Sequence, residues 1–188
     1  MAISLRLAAP PSNREILDLS ERNPGFQFER SAVGELVVTP GSSETGRREA
    51  ALVVQLGRWA EVHGQGVVFS SSAGFHLPDG SLLSPDAGWM PRERWIALTP
   101  QQRDSFAPLC PDAVFEIASK TDTPRALRAK MRTYVTNGAR VAVLIDPQHK
   151  TVEVHRPDHD AHVLESPRLI SLDPVLSGFD LDLTSIFE

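Results

Sequence analysis

A mixed α/β (α+β) fold is predicted for this chain on three grounds. Apolar residues recur at helical spacing from Arg47 to His63 and again in the segment opened by Thr123-Pro124. Runs of β-forming residues alternate with these segments, the most continuous being Val141 to Ile145, the pattern of a strand covered on both faces. No repeat, low-complexity tract or linker interrupts the 188 residues. The expectation is therefore one domain over 1–188: an N-terminal helix and strands in 1–40, the core in 41–156, and C-terminal strands and tail in 157–188.

In chain order, Asn13 to Glu21 carries Ile16, Leu17 and Leu19 among charges and predicts a short helix ended by Asn23-Pro24-Gly25. Phe26 to Arg30 and Gly34 to Thr39 predict an antiparallel pair, the N-terminal β-hairpin. Pro40-Gly41-Ser42-Ser43 breaks the chain before a long helix to about His63, stopped by Gly64-Gln65-Gly66. Val67 to Phe75 and Leu82 to Met90 flank the turn Leu77-Pro78-Asp79-Gly80 and predict a second hairpin. A connecting region with Pro91, Trp95, Pro100, Phe106 and Pro108 leads to a strand over Val114 to Ser119. The next helix begins at Thr123-Pro124, with proline in its first turn, and ends near Asn137-Gly138. Strands follow at Val141 to Ile145, Thr151 to His155 and His162 to Leu164.

Bulk properties exclude some functions. A formal net charge of -5 argues against binding nucleic acid by overall attraction, so any such contact must be a local basic patch. The single cysteine, Cys110, excludes an internal disulfide and a multi-cysteine zinc site, and suits a reducing, cytoplasmic setting. The N-terminal residues lack a signal-like apolar run, and nowhere do enough apolar residues follow one another to span a membrane.

Three carboxylates sit where carboxylates are costly. On the helix from Arg47 to His63, residues Leu52, Leu56, Trp59 and His63 form one stripe, and Glu49 falls beside Leu56, toward the core. Asp86 lies between Pro85 and Ala87-Gly88 in an otherwise apolar run. Glu116 is flanked by Val114-Phe115 and Ile117-Ala118. Each has a bland alternative or a gap: Glu49 could complement the helix dipole, Asp86 could form a turn after proline, and Glu116 has no chemical partner near it on its own strand. Ala118 and Lys120 share its face at about 7 and 13 Å by the usual rise, one inert and the other distant.

Lys130 fills that gap. Leu127, Met131 and Tyr134 form the apolar stripe of the second helix and Lys130 lies on its edge, while Arg125, Arg128 and Arg132 project from the other side. A snorkelling side chain is the bland alternative for Lys130, and a solvated face that for the arginines. Taken together, three gathered carboxylates would raise one another's pKa, and a hard divalent ion, magnesium or manganese, would relieve the repulsion. The pattern is that of a metal-dependent phosphodiester-cleaving site, with Asp86, Glu116 and Glu49 as ligands and Lys130 as the cation beside them. For nucleic-acid contact the candidates are Arg47, Arg48 and Tyr134, with Arg125, Arg128 and Arg132 as a second basic row. Of six histidines, four crowd into 149–162, where Pro157 and Asp158-His159-Asp160 predict a solvated hairpin tip.

Several fragments taken together resemble the Uma2 family (DUF820) of the PD-(D/E)XK, restriction-endonuclease-like superfamily. They are Thr45-Gly46-Arg47-Arg48-Glu49-Ala50, Leu77-Pro78-Asp79-Gly80-Ser81, Ser84-Pro85-Asp86-Ala87, Arg92-Glu93-Arg94-Trp95 with Leu98-Thr99-Pro100, and Leu109-Cys110-Pro111-Asp112 leading into Glu116. The likeness continues through Ala129-Lys130-Met131, Tyr134, Asn137-Gly138, Ile145-Asp146-Pro147 and Val152-Glu153-Val154. It implies a central mixed β-sheet flanked by helices, an endonuclease acting on nucleic acid, most of all DNA, and a homodimer. It also makes Asp86 the first acid, Glu116 the second, Glu49 an extra carboxylate, and Lys130 a lysine moved from the strand to the following helix. Ser119-Lys120-Thr121 departs from the serine-proline-serine run usual there, which leaves Lys120 as the other candidate cation. The alternative is a catalytically silent nuclease-fold module that binds nucleic acid or regulates.

Overall fold

The computed structural model describes residues 3–63 and 66–188. Its elements run β1 (Ile3–Leu5), α1 (Asn13–Arg22), β2 (Phe26–Arg30), β3 (Leu36–Pro40), α2 (Ser43–His63), β4 (Val67–Ser70), β5 (Phe75–His76), β6 (Leu82–Leu83) and β7 (Ala87–Met90). Then come α3 (Arg92–Ile96), α4 (Pro100–Arg103), β8 (Ala113–Ile117), α5 (Pro124–Thr136), β9 (Val141–Asp146), β10 (Thr151–His155) and β11 (His162–Glu165). The chain closes with β12 (Leu169–Ser171), β13 (Asp180–Asp182) and α6 (Thr184–Phe187). Most predicted elements are present within a residue or two. Additions are β1, the two short helices within the connecting region, and the closing elements of the tail. Of the predicted stop after α2, Gly64 and Gln65 lie outside the described residues.

The strands form a central six-stranded mixed sheet in the order β11-β10-β9-β8-β7-β4, with β8 and β9 parallel and the other pairs antiparallel. A parallel pair needs a long crossover, and α5 supplies it. Thr123 starts that helix by accepting the amide of Ala126, with Pro124 in the first turn where no amide hydrogen is needed. One face of the sheet is covered by α2, through Leu52, Leu56 and Trp59, and by the closing segment with Leu172, Leu176, Leu181 and Ile186. The other face is covered by α5, through Met131 and Tyr134, and by Phe75, Leu77 and Cys110. Val114, Glu116 and Ala118 alternate onto this second face, so Glu116 points toward α5.

In front lies a five-stranded sheet, β1-β3-β2-β6-β5, with α1 packed on it through Ile16 against Phe28, Leu36 and Leu82. A capping box between Ser12 and Glu15 opens α1. This arrangement corrects one expectation. The two long strands predicted on either side of the Leu77–Gly80 turn are each broken in two: β5 and β6 pair with each other in the front sheet, whereas β4 and β7 pair in the central sheet. Ser71-Ser72 and Ser84-Pro85 fall at the two breaks, where proline lacks the amide a ladder needs. The turn itself forms as predicted, with Gly80 at φ +86° and the Asp79 carboxylate accepting both the amide and the hydroxyl of Ser81. Asp86 thus lies not within a strand but in the passage that carries the chain from one sheet to the other.

Candidate active site

Strand register brings the two central acids together. The ladder between β7 and β8 pairs Ala87 with Phe115, and one step further, where β7 has ended, Asp86 meets the level of Glu116. Asp86 is fixed there because its Oδ2 accepts the backbone N–H of Ile117 at 2.6 Å. Both acids are buried, at 8% and 5% exposure.

Lys130 and Tyr134 are one helical turn apart on α5 and share the face that looks onto Glu116. The Lys130 ammonium stands 2.8 Å from Glu116 Oε1, and the Tyr134 hydroxyl donates to the same oxygen at 2.9 Å. A second carboxylate reaches Lys130 from the front sheet: Glu29, on β2, places Oε1 2.9 Å from the ammonium and also accepts the N–H of Ser84 at 2.7 Å. Glu49, half-buried on α2, accepts the hydroxyl of Ser71 at 2.7 Å. Asp86, Glu116, Lys130, Glu29 and Glu49 line one cleft of about 980 Å³, walled by the front sheet, the start of α2, the Ser84–Asp86 passage and α5, with Tyr134 behind Glu116.

The cleft carries more negative than positive charge, and its acids respond. Burial, then the neighbouring charges of Glu116 and Glu49, push Asp86 well above the usual carboxylate range despite Lys130 and the Ile117 amide. Burial is also the main cause for Glu116, raised to about 7, with Glu29 adding to the rise and Lys130 and Tyr134 opposing it. Burial alone would lower Lys130, but Glu116 and Glu29 more than reverse this and hold it above the ordinary lysine value. Tyr134 is raised well above the ordinary phenol, by burial and then by Glu116.

Among the described residues no three His, Cys, Asp or Glu side chains stand ready-made as a metal-holding group. The chemistry of the donor set nevertheless fits a hard cation. Its candidate donors are oxygen only, and each of Asp86, Glu116 and Glu49 keeps one oxygen outside the bonds just described, with Lys130 as the cation among them.

Asp86, Glu116, Lys130 and Glu49 are therefore brought together, with Tyr134 behind Glu116, whereas Lys120 lies elsewhere and Arg47 and Arg48 bond elsewhere. Lys120 lies exposed beyond the end of β8, where its charge acts on Glu44. Arg47 and Arg48 both pair with Glu44 on the first turns of α2, and Arg47 also donates to the carbonyl of Ser185. Tyr134 is fully buried beneath Glu116 and presents no ring face for a base to stack on. Arg128 is not merely solvated: it grips the buried Glu153 with two nitrogens. Trp95 packs against Phe69. Of the four crowded histidines, His149, His159 and His162 are exposed, whereas His155 is buried on β10.

Sequence reasoning missed Glu29. In Phe26-Gln27-Phe28-Glu29-Arg30 the alternation assigns Gln27 and Glu29 to a polar face, which reads as solvent. That face looks into the cleft instead, and only the placement of α5 opposite it reveals this. Asp112 precedes β8: its carboxylate pairs with Arg94, and its carbonyl accepts the amides of Arg140 and Val141.

Comparison with known proteins adds the following. A family profile described as "Uma2: Putative restriction endonuclease" matches residues 14–184. Among solved structures, the crystal structure of a "putative nuclease belonging to DUF820" from Anabaena variabilis matches with a TM-score of 0.74 at 19% identity, covering 95% of this chain and 98% of that one. That likeness shows the fold, a central mixed sheet flanked by helices. No curated protein matches the chain.

Proposed function

The chain belongs to the Uma2 family, and from that footing we propose that it is an endonuclease that hydrolyses phosphodiester bonds of nucleic acid, DNA before RNA, with magnesium or manganese as cofactor. The observation that carries this reading is the convergence of Asp86, Glu116 and Lys130, from three separate elements, at the wall of one polar cleft. Asp86, Glu116 and Glu49 would hold the ion. A bound divalent ion supplies charge stabilisation and a water near ionisation.

The chain's own residues divide the remaining work. Lys130 keeps its proton at neutral pH because two carboxylates face it, so it acts as a donor to negative charge developing on the phosphoryl oxygens and not as the base. Tyr134 holds Glu116 from below and fixes its orientation. With a net charge of -5, approach of a polyanion falls to local cations, and Arg47 and Arg48 lie on the same turns of α2 that line the cleft. A cytoplasmic homodimer completes the reading.

One observation favours the runner-up, a catalytically silent nuclease-fold module: among the described residues no three ligands are already grouped, and Lys130 occupies one oxygen of Glu116. The two readings separate in one experiment. Purified protein is incubated with plasmid DNA, single-stranded DNA and RNA in magnesium, manganese or chelator, beside Glu116→Ala. Metal-dependent cutting by the wild type alone supports the enzyme, and equal cutting by both proteins, or none by either, sinks it.

A further inference from the structure

Glu29 comes from the front sheet, yet its carboxylate is buried and spent wholly on the site. It makes two bonds from one oxygen: the amide of Ser84, two residues before Asp86, and the ammonium of Lys130. These two groups belong to different elements, the passage between the sheets and α5, and no other side chain bonds to both among the described residues. A buried ion pair costs desolvation that only good geometry and further hydrogen bonds recover, so a second carboxylate on an already paired lysine is not explained by stability alone. With Glu116 alone, the ammonium would be bound entirely by an acid that the metal is proposed to claim.

From this geometry we infer that Glu29 is the positioning residue of the site: it ties Lys130 to the Asp86 segment, so that the ammonium stays aimed into the cleft whichever group Glu116 serves. The effect on turnover rests on the nuclease reading, but the effect on Lys130 does not, and the test uses that difference.

Lysines occur at three positions, Lys120, Lys130 and Lys150, and the first and last are exposed. Full-length wild type and Glu29→Gln are treated briefly with formaldehyde and borohydride, and methylation at each lysine is read by peptide mass spectrometry. Glutamine keeps the acceptor for Ser84 but removes the charge. Methylation of Lys130 is expected to be slow in the wild type and about tenfold faster in Glu29→Gln, the scale of one lost charge-assisted bond. Lys120 and Lys150 serve as unchanged internal standards, and the buried Cys110 thiol, probed with a maleimide, reports unfolding.

In cleavage assays Glu29→Gln is expected to lower kcat by about tenfold or more while KM stays within about threefold, the signature of lost positioning. Unchanged Lys130 labelling overturns the inference. So does exposure of Cys110 together with Lys130, which would make Glu29 a folding residue only, and so does an unaltered kcat in a protein that does cleave. Should the wild type cleave nothing, the nuclease reading falls, and the labelling arm still decides whether Glu29 holds Lys130.

Discussion

Asp86 Oδ2 accepts the backbone N–H of Ile117 at 2.6 Å, so the acid of the inter-sheet passage is bolted to the end of the strand that carries Glu116. Asparagine at position 86 would keep that bond through its carbonyl oxygen while removing a carboxyl group whose ionisation burial and the Glu116 and Glu49 charges oppose. Asp86→Asn should therefore raise the melting temperature and abolish both cleavage and manganese binding. Differential scanning fluorimetry with calorimetric titration checks this, and a melting temperature that falls would contradict the charge argument.

Divalent cations should stabilise the protein. Binding to the folded state alone at a hundred times Kd contributes about 2.7 kcal/mol. Manganese is expected to raise the melting temperature of the wild type in a concentration-dependent way and to leave that of Glu116→Gln unmoved. An equal rise in both would place the ion elsewhere.

Removing the ammonium should cost far more than removing one acid. Lys130→Met leaves Glu29 and Glu116 facing each other in a buried space, and breaking a buried pair in this way typically costs about 3–5 kcal/mol. Urea denaturation at pH 7 should show this loss, with much of it recovered in the double variant Lys130→Met/Glu116→Gln. Failure of the second change to restore stability would mean that the cost lies in packing and not in charge.

His155 supplies a pH dependence away from the cleft. It is buried beside Glu153 and its pKa is lowered, mainly by burial, so the folded protein resists a proton that the unfolded chain accepts below about 6.5. Its contribution is present above that value and is lost as pH falls through the lowered pKa. Urea midpoints compared at pH 7.5 and pH 5.5 should drop more for the wild type than for His155→Phe, and parallel drops would remove His155 as the cause.

Cys110 should be chemically silent in the native state. It is buried, and its thiol is pushed up to about 12, chiefly by burial, so almost no thiolate exists at pH 8. Iodoacetamide followed by intact-mass measurement should give no adduct until denaturant is added.

The parts of the fold legible in the sequence were those in which a local pattern and the final environment agree. Leu52, Leu56 and Trp59 declared the buried stripe of α2, and Val141 to Ile145 declared a strand covered on both sides. Asp86, Glu116 and Lys130 were legible for the opposite reason, as charges placed against an apolar pattern. What stayed hidden depended on contacts distant in sequence. Nothing local tells that Phe75 and Leu83 belong to a different sheet from Phe69 and Gly88, because strand propensity is blind to the partner. Glu29 was hidden because a strand face lining a polar cleft has the same alternation as one facing water.

The turn between β5 and β6 also divides the labour of the site at a single point. Everything before the Asp79–Gly80 turn delivers Glu29 and Glu49, and everything after it delivers Asp86, Glu116 and Lys130. A chain severed at that exposed bend would leave neither fragment with a whole site. Should the protein cleave, activity is expected to appear only on mixing the two halves.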